Sequence, residues 1–184
     1  VAWTMRLFAD PRVAFAHTAA SVIDEESKLV QGREGAGHRD AELSLAGMLL
    51  GTNAPILGAT CAYRVDVFRE FAELPPRILR EDVILPIRGL ILGEGRFLAS
   101  KLVRYRTHAG NLHSPAHAQS SAEMVQRNLK FADDRAACCT QLSADIAKAR
   151  AGGRILPDEL DVYLRQEAAY SAVEQRLLRT KSLF

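Results

Sequence analysis

The spacing of apolar and polar positions changes character along the chain. Arg12 to Thr18 alternates with a period of two: Val13 and Phe15 share one face and Ala14 and Ala16 the other, which predicts a strand. The segment before it, residues 1–9, looks like the tail of a helix closed by Asp10-Pro11, since proline disfavours helical backbone in the residue preceding it. Residues 21–24 and 28–31 predict strand, turn, strand, and the Gly- and Arg-containing stretch 32–39 a loop. Asp40 is placed to cap a helix running to Leu50, with Leu43, Ala46, Leu49 and Leu50 facing inward and Gly51 as its stop. Residues 58–63 predict a strand and 66–71 a short helix that ends before Pro75-Pro76. The next helix starts near Asp82, with Pro86 in its first turn, and ends at Gly93. Residues 96–99 and 102–106 predict two more strands, so this part reads as α/β.

After the loop at 108–117 the period lengthens. Ser120 and Glu123 form a capping-box pattern. Val125, Leu129, Ala132, Ala136, Cys139, Leu142 or Ser143, and Ile146 then recur every three or four residues, predicting a long amphipathic helix that ends at Gly152-Gly153. Pro157 suits the first turn of a second helix with Leu160, Leu164, Val173 and Leu177 among its apolar positions. The division is therefore an α/β part over 1–115 and a helical hairpin over 119–184.

Composition narrows the function classes. The 184 residues are 48% hydrophobic and 25% charged, ordinary for a globular chain, which excludes disorder. Twenty-four Lys and Arg against 22 Asp and Glu leave a net charge of +2, no basis for a nucleic-acid surface. Three cysteines, two of them adjacent at 138 and 139, make neither a disulfide framework nor a zinc site, so a reducing, cytoplasmic compartment is expected. Residues 43–63 lack charge, yet Gly47, Gly51, Asn53, Pro55 and Gly58 interrupt the run, against a spanning helix. The start shows neither Met nor a signal peptide and reads as the continuation of a longer chain.

Two clusters carry candidate chemistry. Glu81-Asp82 lies at a loop-to-helix junction, where an Asp serves either as a helix cap or as a base held on a rigid element. Arg104, Arg106 and His108 share one parity and so one face of a strand; they suit a diphosphate, or form a solvated edge.

Asp10-Pro-Arg-Val13, Val22-Ile-Asp24, Gly58-Ala-Thr-Cys-Ala-Tyr-Arg64, Glu81-Asp82-Val-Ile-Leu85 with Arg88, and Leu102-Val-Arg-Tyr-Arg-Thr-His108 occur in this order. The series resembles the second half of the family-2 type inverting glycosyltransferases, which have the GT-A fold. The resemblance covers about residues 1–115. It implies Asp82 as general base toward the acceptor hydroxyl, with Glu81 beside it. It implies Arg104 and Arg106 at the diphosphate, and His108 as a ligand of a divalent metal, Mg²⁺ or Mn²⁺, or of the diphosphate. Gly58, Ala59 and Thr60 match the strand edge near donor sugar and acceptor, where a small residue permits close backbone approach; a tightly packed strand is the other reading.

The resemblance further implies a partial GT-A fold lacking its N-terminal nucleotide-binding half, since the family's Asp-x-Asp motif does not occur in this sequence. The expected donor is a nucleotide sugar and the acceptor a glycan or lipid-linked glycan of bacterial surface polysaccharide or glycoconjugate synthesis. By itself the chain is expected to be inactive. The hairpin lies outside the resemblance: it packs on the catalytic part, forms a homo-oligomer, or contacts the inner membrane face through Arg176, Arg179 and Lys181 with Leu177, Leu178, Leu183 and Phe184. The alternative function is a non-catalytic α/β binding or assembly module associating through the hairpin.

Overall fold

Val13 through Thr18 are all buried, so the alternating segment is covered on both faces, as a central strand of a sheet is. In the computed structural model, which describes residues 2–30, 39–49, 51–53, 55–108, 111 and 120–181, this segment opens strand β1 (Val13–Ile23). It follows helix α1 (Ala2–Leu7). β1 pairs in parallel with β4 (Glu94–Arg106) and antiparallel with the two-residue β3 (Ala62–Tyr63). β2 (Ala41–Leu43) pairs antiparallel with the other edge of β4, giving a four-stranded mixed sheet in the order β2-β4-β1-β3. The remaining helices are α2 (Leu45–Leu49), α3 (Asp66–Arg69), α4 (Glu81–Leu92), α5 (Ser121–Ala151) and α6 (Glu159–Lys181). The α/β class is therefore as expected. No helix among the described residues is long and apolar enough to cross a membrane.

Five expectations change. The strand expected at 21–24 is the end of β1, and 28–31 gives only a bridge between Leu29 and Ile23. The segment capped by Asp40 begins as a strand: Asp40 accepts a hydrogen bond from the Ala99 N–H at 2.8 Å, β2 pairs with β4, and Ser44 caps α2 through the Gly47 N–H at 3.0 Å. An open β4 edge offers backbone partners that local helix propensity does not count. Residues 58–60 form a 3-10 turn, leaving only Ala62 and Tyr63 in β3. The two strands expected at 96–99 and 102–106 are one, with the register slipping where a break was expected: Thr18 faces Leu98, but Ala19 faces Lys101. Finally, α4 starts at Glu81, so Asp82 sits inside its first turn and Pro86 in its second. Pro86 has no N–H to donate, which deprives the Asp82 carbonyl of its helical partner.

α4 lies back over the sheet. Phe15 is fully buried, and a Cβ on Gly89 of α4 would come within 2.7 Å of its ring, one on Gly95 of β4 within 2.4 Å. Leu43, Leu90 and Phe97 complete this cluster. Arg64 ties α1 to the sheet: its guanidinium donates to the carbonyls of Val13, Phe8 and Asp10 at 2.7 to 2.8 Å. Arg88 is buried, stacks over Phe71 and donates to the Ala72 carbonyl at 2.9 Å.

His17 is fully buried beside Phe97, with ring centroids 4.8 Å apart, and neither ring nitrogen has a hydrogen-bond partner among the described residues. Burial pushes its pKa down to about 4. An unfolded histidine titrates near 6.5, so between these values the unfolded chain binds the extra proton. The stabilisation is therefore complete above about pH 6.5 and is lost as pH falls toward 4. Between pH 7.5 and 4.5 this one group is expected to remove about 2.5 kcal/mol, read from urea unfolding at the two pH values. His17→Leu is expected to flatten that part of the profile; an unchanged profile would refute the assignment.

Residues 74–80 and 109–184 form a second compact unit, separate from 1–73 with 81–108. Ser120 caps α5 through the expected box, its hydroxyl accepting from the Glu123 N–H and its own N–H donating to the Glu123 carboxylate. Ala132, Cys139, Leu142 and Ile146 of the stripe are buried, and α5 ends at Gly152, followed by Gly153 at φ +85°. Asp134, also buried, accepts from the Leu79 N–H at 2.6 Å and pairs with Arg80, which fastens segment 74–80 to α5. Across to α6, the Ser171 hydroxyl donates to the Ala132 carbonyl at 2.6 Å, and Arg150 pairs with Asp161 at 2.7 Å.

Candidate functional site

The first turn of α4 and the 3-10 turn at 58–60 meet. The Gly58 N–H points to Oδ2 of Asp82 at 3.4 Å. A Cβ on residue 58 would lie 3.0 Å from Oε1 of Glu81 and 3.1 Å from Cβ of Asp82, so glycine is what lets the turn approach. Thr60 is buried and its hydroxyl donates to the Leu57 carbonyl at 2.8 Å, closing the turn. Ala59 is exposed. The structure thus assembles five of the sequence-derived candidates: Gly58, Ala59, Thr60, Glu81 and Asp82.

Glu81 is exposed and Asp82 half-buried. Asp82 and Val83 form one side of an open cleft of about 340 Å³, whose other wall is Gly47, Met48, Asn53, Pro55 and Ile56. That wall was missed by sequence reasoning, which read Gly47 and Met48 as part of a helix and Asn53 and Pro55 as breaks after it. Its shape depends on Gly47, where a Cβ would lie 2.1 Å from Oδ1 of Asn53, and on the Asn53 side-chain amide, which donates to the Ser44 carbonyl at 3.0 Å. Two acids in the first turn also sit favourably at the positive end of the helix dipole.

Behind the acids lie Cys61 and Tyr63. Burial pushes the Cys61 thiol up to about 11, and the negative charges of Asp82 and Glu81 add to it. Burial raises the Tyr63 phenol as well, with Cys61 and the same two acids contributing. Both stay protonated at neutral pH, leaving the carboxylates as the basic groups of the cleft.

Arg104, Arg106 and His108 are all exposed while Val103, Tyr105 and Thr107 are half-buried, so the expected shared face is present. None of the three is among the residues that line the cleft beside Asp82. Gly89 and Gly95 both abut Phe15. From there Asp82 lies about 10 Å back along α4, and Arg104 about 20 Å along the β1–β4 pair, since it faces Ser21 where Gly95 faces Phe15. Arg106 is engaged with the turn after β1: its guanidinium donates to the carbonyls of Asp24 and Glu25 at 2.9 and 2.6 Å and to the Ser27 hydroxyl at 2.9 Å. Among the described residues no group of three or more His, Cys, Asp or Glu side chains is placed to hold a metal ion.

A larger groove of about 740 Å³ lies in the second unit, with Arg77, Lys130 and Asp133 on its walls. Its acids are occupied: Asp133 accepts from Gln175 at 2.9 Å and Asp134 is paired with Arg80, so size does not make it the better catalytic candidate.

No family model matches the chain, and comparison with curated proteins and with solved structures finds no match to either.

Proposed function

We propose that the chain is the acceptor-side part of an inverting, nucleotide-sugar-dependent glycosyltransferase with a GT-A type fold, and that Asp82 is its base. One observation carries the reading: the Asp82 carboxylate is half-exposed on a rigid helical turn at an open cleft, with the backbone of Gly58 drawn against it. The ordered motif series supports it, as does a parallel pair of central strands flanked by antiparallel edges.

In this reading the acceptor hydroxyl enters the cleft beside Asp82. Its oxygen attacks the anomeric carbon of the donor, its proton passes to the Asp82 carboxylate, and the bond from that carbon to the diphosphate breaks. The nucleoside diphosphate leaves from the opposite face, so configuration inverts. The wall of Gly47, Met48, Asn53, Pro55 and Ile56 orients the acceptor. Glu81 stands beside Asp82 at the entrance. Arg104 and His108 are the proposed contacts to the diphosphate. Arg106 holds the Asp24–Ser27 turn beside them.

The reading requires a nucleotide-binding half to complete the donor site, because a diphosphate in an open, solvated half-cleft is screened by water and salt. The 184-residue chain titrated with nucleotide sugars and Mg²⁺ or Mn²⁺ is expected to show no specific micromolar binding. In one polypeptide with a nucleotide-binding half it is expected to transfer sugar, and proton NMR of the product to show an inverted anomeric centre. Micromolar binding by the chain alone, or a retained configuration, would overturn the proposal.

A further inference from the structure

The groove of the second unit is built on fixed walls. Segment 74–80 forms one side, the end of α6 the other, and α5 lies between them. Each wall is fastened to α5 by a buried polar group. Asp134, 2% exposed, takes the Leu79 N–H and the Arg80 guanidinium, and the Ser171 hydroxyl of α6 donates to the Ala132 carbonyl. The Gln175 amide adds a hydrogen bond to Asp133 at 2.9 Å. A hollow of about 740 Å³ whose sides are already tied costs little to order when it is filled.

Its chemistry is divided. Leu129, Ala136 and Ala137 of α5, with Leu79 beside them, give it an apolar floor. Above the floor the charges do not balance. Asp133 is engaged by Gln175 and, at 3.7 Å, by Arg179, and Asp134 by Arg80. Arg77 and Lys130 are exposed, and neither is ion-paired among the described residues. The two cations share one rim: Lys130 stands one turn before Asp134 on α5, and Asp134 holds the segment that carries Arg77.

This pattern selects an occupant. Carboxylates meet the rim cations while an apolar side chain covers the floor, which asks for acidic and apolar groups close together on one narrow chain. A bilayer surface does not reach a floor enclosed between two walls. A nucleic acid wants a basic excess, and the chain's net charge is only +2. We infer that the groove is a docking site for an acidic peptide segment of a partner protein, with its carboxylates on Arg77 and Lys130 and an apolar side chain against Leu79 and Leu129. This is independent of the transferase reading and stands or falls without it.

The probe is a fluorescein-labelled dodecapeptide repeating Glu-Leu-Glu-Ala, titrated with the full chain and followed by anisotropy. A dissociation constant on the order of 10–100 μM is expected at about 50 mM NaCl, as for a small contact surface. Raising NaCl to about 300 mM is expected to weaken it several-fold, since exposed charges are screened over a shorter distance. Arg77→Glu with Lys130→Glu, both at exposed positions, is expected to leave the circular dichroism spectrum unchanged and to weaken binding at least about tenfold. A peptide with Ser for Leu is expected to bind several-fold more weakly. In amide NMR spectra of the labelled chain, the largest shifts on adding the peptide are expected at Leu129, Ala136 and Thr140, inside the groove.

No saturation by about 500 μM peptide, far weaker than a small specific contact gives, would overturn the inference. Equal binding of a peptide with Lys for Glu, indifference to the double Glu variant, or largest shifts outside the groove would each do the same. So would a chain that ignores the peptide and binds phosphatidylglycerol vesicles through Arg77 and Lys130.

Discussion

Replacing Asp82 by Asn is expected to slow sugar transfer by about 10²–10⁴-fold while donor binding persists, the range general-base catalysis contributes. That is about 3–5 kcal/mol of barrier. The substitution preserves size and leaves an oxygen that can still accept from the Gly58 N–H, but it removes the group that takes the proton. The fall should appear in kcat, with the donor KM nearly unchanged, because the lost interaction belongs to the transition state. Glu81→Gln is the control: Glu81 is exposed and is not the base, so its effect should be smaller. The measurement is steady-state transfer by the complete polypeptide. Turnover of the Asn variant within a few-fold of the parent would refute the role given to Asp82.

Phe15→Ala is expected to cost about 4 kcal/mol of stability, in the upper part of the range for deleting a buried aromatic ring. The reason is what surrounds it. Two of its neighbours are Gly89 and Gly95, which have no side chains to move into the space. A cavity bounded by backbone relaxes little, and its cost grows with the volume left empty. The loss also reaches the site. Phe15 stacks with Tyr63 at 5.9 Å and pairs with it in the β1–β3 ladder, and Tyr63 anchors the chain just after the turn that presents Gly58 to Asp82. Urea unfolding gives the number; a cost below about 1.5 kcal/mol would mean that the sheet closes around the gap.

Much of the helical structure was legible in the sequence. Gly51 at φ +65° and Gly153 at φ +85° end or follow helices where glycine alone is comfortable. The Ser120–Glu123 box is local chemistry between residues three apart. Ala132, Cys139, Leu142 and Ile146 of the α5 stripe are buried and Val125, Leu129 and Ala136 half-buried, because helical periodicity is written in one continuous segment. The shared face of Arg104, Arg106 and His108 followed from strand parity for the same reason.

Strand ends and the site were harder to read, because their partners are distant in sequence. Residues 41–43 join a sheet only because the β4 edge is there to pair with them, and β4 runs unbroken through Ser100 because β1 supports it across a register slip. His17 read as one more residue of an alternating strand; enclosure by aromatic rings from two strands is what strips it of partners. Asp134 is buried in α5 because segment 74–80 supplies an N–H and a guanidinium that compensate it.

The chain's own sequence determined where its helices form, which residues face together along each element, and that Glu81-Asp82 and residues 58–60 were worth inspecting, since these are matters of period, capping and local composition. Only the tertiary structure decided that those two segments touch, that Gly47, Met48, Asn53, Pro55 and Ile56 make the opposing wall of a cleft, and that Arg106 is held by the Asp24–Ser27 turn. Contacts between residues tens of positions apart depend on how the chain packs, and no local pattern encodes them.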